Sequence, residues 1–230
     1  MEMKHAETAF LSPLKDANSY GLRWFTPEVE VDLCGHATLA AAHALREGNL
    51  VDCSRPISFQ TRSGVLAANF RERDIELDFP SDDVIPAELP PSLRFLEKDV
   101  VFSGRTSSDW FIEFNHEYTV QNFRPDLQKI ADAGRRGLII TAKLRDREID
   151  FISRFFAPQS GVDEDPVTGS AHCALGPYWG RKLNKKIVIG LQASRRSGSV
   201  IVECLGARVL LRGTAVTTLR GIFICPNYKY

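Results

Sequence analysis

The chain repeats itself once over a long interval, and this repeat limits its fold more than any other feature. Residues 23–27 read Arg-Trp-Phe-Thr-Pro, and residues 154–158 read Arg-Phe-Phe-Ala-Pro. Gly35 and Gly169, which each open a run of small residues, stand 134 residues apart, and a Ser-Gly pair that begins at Ser63 recurs at the same offset. A constant offset over several segments is typical of a duplicated unit and not of a short-period solenoid. We therefore predict two similar halves.

Strand patterns occur in both halves. Residues 75–79 alternate apolar and acidic side chains, as a half-buried strand does. Residues 65–70 precede them and predict the other strand of a hairpin. The remaining predicted strands are at residues 137–140, 149–152, 200–202 and 209–211.

Each half also contains a run of small residues that predicts a central helix. The run that begins at Gly35 carries almost no charge before Arg46, which indicates a helix buried on all sides. The predicted fold class is α+β, with two pseudo-symmetric halves, each a curved and mostly antiparallel sheet wrapped around a central helix. Prolines crowd between residues 80 and 102, so the halves are expected to meet there. We predict an N-terminal half at residues 1–90, a C-terminal half at 91–222 and a tail at 223–230.

Composition excludes several classes of protein. Lys and Arg total 29 and Asp and Glu total 29, so the neutral chain lacks the basic excess of a nucleic-acid binder or a polybasic membrane anchor. No apolar run approaches the roughly 20 residues of a membrane span. The five cysteines form no Cys-x-x-Cys pair, so neither a disulfide framework nor a zinc knuckle is indicated, and free thiols favour the cytosol. No Gly-rich phosphate loop and no His-Glu-x-x-His zinc motif occurs, and no metal site is expected.

The two predicted helix starts carry the candidate chemistry. Backbone N–H groups at a helix N-terminus, together with the helix dipole, favour a bound anion. Two such starts that face each other would bind a carboxylate between them. Under the offset of 134, His36 corresponds to Ser170, while Cys34 lies just before the first helix and Asp165 just before the second.

These motifs resemble those of the phenazine-biosynthesis PhzF-like proteins. Residues 34–38 read Cys-Gly-His-Ala-Thr, residues 165–171 read Asp-Pro-Val-Thr-Gly-Ser-Ala, and residues 7–10 read Glu-Thr-Ala-Phe, which matches a third family motif. The Arg-Phe-Phe-Ala-Pro stretch at residues 154–158 is also typical. Four separated motifs in the right order make the resemblance specific, and it runs from about residue 2 to about residue 222. It implies a fold similar to that of diaminopimelate epimerase, in agreement with the repeat.

The resemblance also implies an activity: cofactor-independent transfer of a proton on a small carboxylate-bearing metabolite. A base for a weakly acidic C–H must lie within hydrogen-bond reach and be partly desolvated, and the developing charge needs fixed donors. The resemblance assigns the base to Glu7. The implied site consists of catalytic Glu7, His36 and Asp165 and of substrate-binding Gly35, Gly169 and Ser170.

Two alternatives stay open at this point. Racemases and epimerases of this fold use two thiols, one ahead of each helix; this chain has Cys34 on one side, but Asp165 occupies the corresponding stretch on the other. Carboxylate acid–base chemistry is therefore favoured over a racemase or epimerase that uses Cys34. Relative to the family, the chain begins almost at Glu7, so the first half is expected to lack its opening strands. A catalytically inactive binding or scaffold protein is thus the second alternative, and exposed strand edges would favour a homodimer.

Overall fold

The fold is taken from a computed structural model, which describes residue 5, residues 7–146 and residues 148–222. The tail predicted at residues 223–230 lies outside these described residues. Within the described part of the chain, no helix has both the length and the apolar character needed to cross a membrane.

Among the described residues, the first half contains six strands and one long helix. The strands are β1 (Thr8–Pro13), β2 (Ser19–Phe25), β3 (Glu30–Val31), β4 (Ile57–Thr61), β5 (Gly64–Arg71) and β6 (Asp74–Pro80). Helix α1 (Gly35–Glu47) lies between β3 and β4, where the small-residue run predicts it.

The second half contains the remaining elements. The strands are β7 (Ile85–Pro86), β8 (Val100–Arg105), β9 (Asp109–Phe114), β10 (Gly137–Lys143), β11 (Phe151–Phe156), β12 (Ile187–Gln192), β13 (Gly198–Leu205) and β14 (Arg208–Gly213). The helices are α2 (Glu117–Gln121), α3 (Leu127–Ala131) and α4 (Gly169–Leu183), with 3₁₀ turns at Pro91–Leu96 and Pro158–Ser160. The division at residue 90 stays a prediction; β7, which precedes it, pairs with β8, which follows it.

The described strands form one continuous sheet in the order β1-β2-β4-β5-β6-β14-β13-β12-β11-β10-β9-β8-β7, with β3 paired to β2. The two halves pair their strands alike. β1 is antiparallel to β2 and β2 is parallel to β4, just as β10 is antiparallel to β11 and β11 is parallel to β12. The bounds of β13 are those of β5 plus 134 residues. The predicted fold, two pseudo-symmetric halves of sheet and central helix, is confirmed.

The halves join where β6 pairs with β14, and the register of this pairing reveals a pseudo-two-fold axis. Leu77 lies opposite Leu211, its own counterpart at an offset of 134. Phe79 pairs with Val209, the counterpart of Ile75, and Ile75 pairs with Gly213, the counterpart of Phe79. A two-fold rotation about an axis at Leu77 and Leu211 therefore places each strand on the other. Leu77 and Leu211 are both buried. The two central helices must therefore approach the axis in equivalent orientations.

The central helices differ in how far they are covered. Tyr178 of α4 packs against Phe102 of β8 and Phe111 of β9, with ring centroids 5.4 and 4.7 Å apart. Helix α1 has an exposed face at Ala40 and Ala44. The prediction that the first helix is buried on all sides is therefore wrong. Aromatic side chains from β8 and β9 thus cover part of α4, whereas Ala40 and Ala44 of α1 are exposed.

Candidate active site

The N-termini of α1 and α4 are in direct contact at two glycines. A Cβ atom on Gly35 would lie 3.0 Å from the Cα of Gly169, and a Cβ on Gly169 would lie 3.1 Å from the Cα of Gly35. Any side chain here would collide with backbone, which cannot rotate away. Glycine at both positions lets the positive ends of two helix dipoles meet beside a cavity of about 670 Å³.

The first turn of each helix leaves its backbone donors available to this cavity. The N-cap residues are Cys34 and Thr168, and neither side chain accepts a hydrogen bond from its helix. The Thr168 hydroxyl instead donates to Oδ2 of Asp165 at 2.6 Å. Because N–H groups in a first helical turn have no partner within the helix, these groups are suited to bind a carboxylate.

All six site residues named from the sequence line the cavity: Glu7, Gly35, His36, Asp165, Gly169 and Ser170. The other two titratable residues of this set, Glu7 and Asp165, flank His36. Its Nε2 lies 3.1 Å from Oε2 of Glu7, and its Nδ1 lies 3.7 Å from Oδ1 of Asp165. Nδ1 is also 3.1 Å from the carbonyl oxygen of Val167. A carbonyl can only accept, so Nδ1 carries a proton and the ring presents Nε2 to Glu7.

Two carboxylate oxygens beside His36 are buried without a hydrogen bond to any described residue. They are Oε2 of Glu7 and Oδ1 of Asp165. The contact between Glu7 and His36 is close, but its angle is not that of a hydrogen bond. A buried acceptor that lacks a hydrogen bond costs about 1–3 kcal/mol, so such oxygens in a cavity mark a place where a ligand or a proton is expected to bind.

The surroundings of His36 shift the proton affinities of the site. Burial lowers the pKa of His36, but the neighbouring Cys34, Glu7 and Asp165 outweigh burial and raise the pKa to about 11. Burial raises the pKa of Asp165, against the opposing effect of the His36 charge. At neutral pH His36 is therefore an imidazolium, and Asp165 holds its proton more tightly than an ordinary aspartic acid does.

Burial disfavours the thiolate forms of the cysteines near the cavity. Burial raises the pKa of Cys34, although its Sγ lies 3.6 Å from Nε2 of His36. The structural counterpart of Cys34 is Thr168, since each is the N-cap of its helix, and Asp165 stands three residues earlier. Cys173 also lines the cavity, but burial raises its pKa to about 12. Thiolates on both sides of a substrate are thus disfavoured at neutral pH.

Arg136 is a cavity residue that the sequence motifs did not indicate. Its guanidinium donates from Nε and Nη2 to the two carboxylate oxygens of Asp109, at 2.9 and 2.5 Å, and from Nη2 to Oγ of Ser170 at 3.0 Å. Asp109 is buried, so the ion pair fixes the guanidinium at the cavity wall. No pattern in the sequence distinguishes this arginine from its neighbour Arg135.

Gln192 is a second residue that sequence reasoning missed. It ends β12 and is fully buried. Its side-chain oxygen accepts from the Thr168 N–H at 2.7 Å, while Nε2 donates to the Asp165 carbonyl at 2.7 Å and to the Thr168 hydroxyl at 3.0 Å. These three bonds hold the loop that carries Asp165 into the cavity.

Comparisons with known proteins show the family of the chain and structures that share its fold. Residues 1–221 match the family described as phenazine biosynthesis-like protein, PhzC-PhzF. A protein of Halalkalibacterium halodurans named an uncharacterized isomerase is 48% identical over 95% of this chain and 83% of its own length. A crystal structure of a phenazine biosynthesis PhzC/PhzF protein from Clostridium difficile has a TM-score of 0.87 at 37% identity, covering 97% of this chain and 85% of the other. A hydroxyproline epimerase from Agrobacterium vitis shares the fold alone, with a TM-score of 0.56 at 12% identity over 90% of this chain and 71% of the other.

Proposed function

Since the chain belongs to the PhzC-PhzF family of phenazine biosynthesis-like proteins, we propose that it is an isomerase that moves a proton between two carbon atoms of a small carboxylate-bearing metabolite without a cofactor. Isomerase-type activity follows from the family, in which relatives 48% and 43% identical to this chain carry the name isomerase. The observation that carries the proton-transfer proposal is the buried Oε2 of Glu7, which has no hydrogen bond to a described residue and lies 3.1 Å from Nε2 of His36.

The substrate carboxylate binds at the meeting point of α1 and α4. First-turn N–H groups of both helices donate to it, and the hydroxyl of Ser170 and the guanidinium of Arg136 stand at the same wall of the cavity. Donors that are held in place before the substrate arrives need no reorganisation during the reaction, which is the basis of electrostatic catalysis. The contact between Gly35 and Gly169 keeps these donors converged.

Glu7 is the general base. Its carboxylate removes a proton from a substrate carbon, becomes a neutral acid, and returns the proton to another carbon of the same molecule. Atoms and net charge are conserved over the cycle, so the product is an isomer of the substrate. A positioned general acid or base contributes typically about 10²–10⁴-fold to a rate.

His36 and Asp165 support this transfer. His36 is an imidazolium at neutral pH because its pKa is raised to about 11, so it supplies a positive charge next to the group that exchanges the proton. Burial raises the pKa of Asp165, which favours a proton on this carboxyl group beside His36. The positive charge of His36 stabilises negative charge that develops on the substrate.

The thiol alternative is less well supported. A two-base racemase requires an acid and a base on opposite faces of one carbon, and the counterpart of Cys34 is Thr168. Burial raises the pKa of Cys34 itself, which leaves less of it in the thiolate form that would act as the base. Carboxylate chemistry at Glu7 needs no such second thiol.

Thermal unfolding with a panel of small carboxylates tests the proposal. A ligand that binds only the folded state raises the midpoint of unfolding, and we expect one class of carboxylate to do so. That compound should then be isomerised, as followed by proton NMR. Glu7→Gln should lose turnover by about 10²–10⁴-fold, whereas Glu72→Gln, in an exposed turn, should keep it. A panel in which no carboxylate shifts the midpoint, or a Glu7→Gln variant with full turnover, would contradict the proposal.

A further inference from the structure

We propose that Glu7, Cys34 and His36 also form a binding site for a thiophilic divalent cation such as Zn²⁺, and that an ion bound there blocks the isomerase. One ligand atom from each of these residues lies within 4.8 Å of the other two. Cation binding itself follows from the arrangement of the three side chains. The inhibition rests on the proposed function, because the ion would occupy the carboxylate of Glu7.

The three side chains are spaced as ligands of one ion. Nε2 of His36 lies 3.1 Å from Oε2 of Glu7 and 3.6 Å from Sγ of Cys34. With a third separation of up to 4.8 Å, the point equidistant from all three atoms lies about 2.4 Å or less from each, close to the roughly 2.0–2.3 Å of zinc bonds to N, O and S. Cysteine, histidine and glutamate also form the mixed ligand type that zinc accepts.

Two further observations favour a cation between Glu7, Cys34 and His36. Nδ1 of His36 donates to the carbonyl of Val167, which is the usual outer contact of a metal-binding histidine and leaves Nε2 beside Oε2 of Glu7. Oε2 of Glu7 and Oδ1 of Asp165 are buried, and neither has a hydrogen bond to a described residue. Asp165 is itself more than nine-tenths buried. A divalent cation would neutralise the negative potential that these oxygens create.

An ion that binds at this point replaces protons. The groups that face His36 are Glu7, Cys34 and Asp165. Zn²⁺ binds thiolate sulfur and neutral imidazole nitrogen, so protons on Cys34 and His36 leave for solvent when the ion binds, and binding should tighten as the pH rises.

Titration with CoCl₂ tests the site without any substrate. Zn²⁺ has no optical signal because its d shell is full, whereas Co²⁺ bound to a thiolate gives a charge-transfer band in the near ultraviolet. We expect the wild-type chain to bind one Co²⁺ with this band, and ZnCl₂ to displace it. The band should vanish in Cys34→Ser and in His36→Asn, and survive in Cys53→Ser, which removes an exposed cysteine.

The results of the titration can reject the metal site without rejecting the proposed isomerase, and the reverse also holds. A band that persists in Cys34→Ser, a band that is lost in Cys53→Ser, or no band in the wild type would each overturn the metal site. Circular dichroism of each variant confirms that it is folded before the titration is interpreted. If the site fails, Glu7 can still act as the base. If Glu7→Gln retains isomerase activity, cobalt binding through Cys34 and His36 still stands.

Discussion

Replacing Gly35 or Gly169 by alanine tests the contact on which the cavity is built. A new Cβ would lie 3.0 or 3.1 Å from the Cα of the opposite glycine, so α1 and α4 must separate by about 0.5 Å to restore ordinary contact. Such overpacking costs about 1–3 kcal/mol, while the higher helix propensity of alanine returns up to about 1 kcal/mol. We therefore expect each variant to lose about 1–2 kcal/mol of the free energy of unfolding.

Urea unfolding measures this loss, with Gly221→Ala as the control because a Cβ there meets open space. The pseudo-two-fold axis predicts similar losses for the two variants. One separation of the helices relieves both clashes, so the double variant should lose less than the sum of the single losses. If Gly35→Ala and Gly169→Ala were as stable as the wild type, the helix starts could not be in contact as described.

Further predictions concern titration, an ion pair and a buried amide. In imidazole NMR spectra, His36 should stay protonated at pH 9, since its pKa is raised to about 11, while His172, whose pKa burial lowers to about 4, should be neutral at pH 6. The pKa of His172 is lower in the folded chain than in the unfolded chain, so the free energy of unfolding is highest above about pH 6.5 and falls by about 3 kcal/mol towards pH 4. His172→Gln should therefore remove most of this fall when stability is measured in urea at different pH values. Arg136→Met leaves Asp109 buried without its cation and should lower the free energy of unfolding by about 2–4 kcal/mol, with partial recovery in Arg136→Lys; equal stability of all three chains in urea would contradict this. Gln192→Leu removes three buried hydrogen bonds and should cost about 2–4 kcal/mol in the same assay, and an unchanged urea midpoint would show that these bonds do not hold the loop.

The internal duplication makes part of the fold predictable from the sequence alone. The glycines at 35 and 169 mark the first residues of α1 and α4, and the alternation at residues 75–79 locates β6. These features are local, because a periodic pattern and a helix start depend on neighbouring residues. The joining of β6 to β14 is not local. Its register follows from the burial of Leu77 against Leu211, which only the assembled sheet displays.

The candidate site likewise contains residues that the sequence indicates and residues that only the structure reveals. Glu7, His36 and Asp165 stand in motifs, so the resemblance to a family indicates them directly. Arg136 and Gln192 act through partners 34 and 24 residues away in the chain, Ser170 and Thr168, and each looks like an ordinary polar residue beside a strand. The exposed face of α1 also escaped prediction, because the small-residue pattern is common to both helices while the aromatic cover is present on α4.

Exchange of solvent deuterium into the substrate is the most direct test of proton transfer by Glu7. In D₂O, the wild-type chain and a carboxylate that raises its unfolding midpoint should yield substrate and product that carry deuterium at the reacting carbons. Glu7→Gln should still bind the compound, because its helix starts are intact, but should exchange about 10²–10⁴-fold more slowly. Exchange at the wild-type rate in Glu7→Gln, together with its loss in Cys34→Ser, would contradict the account and assign the proton transfer to the thiol.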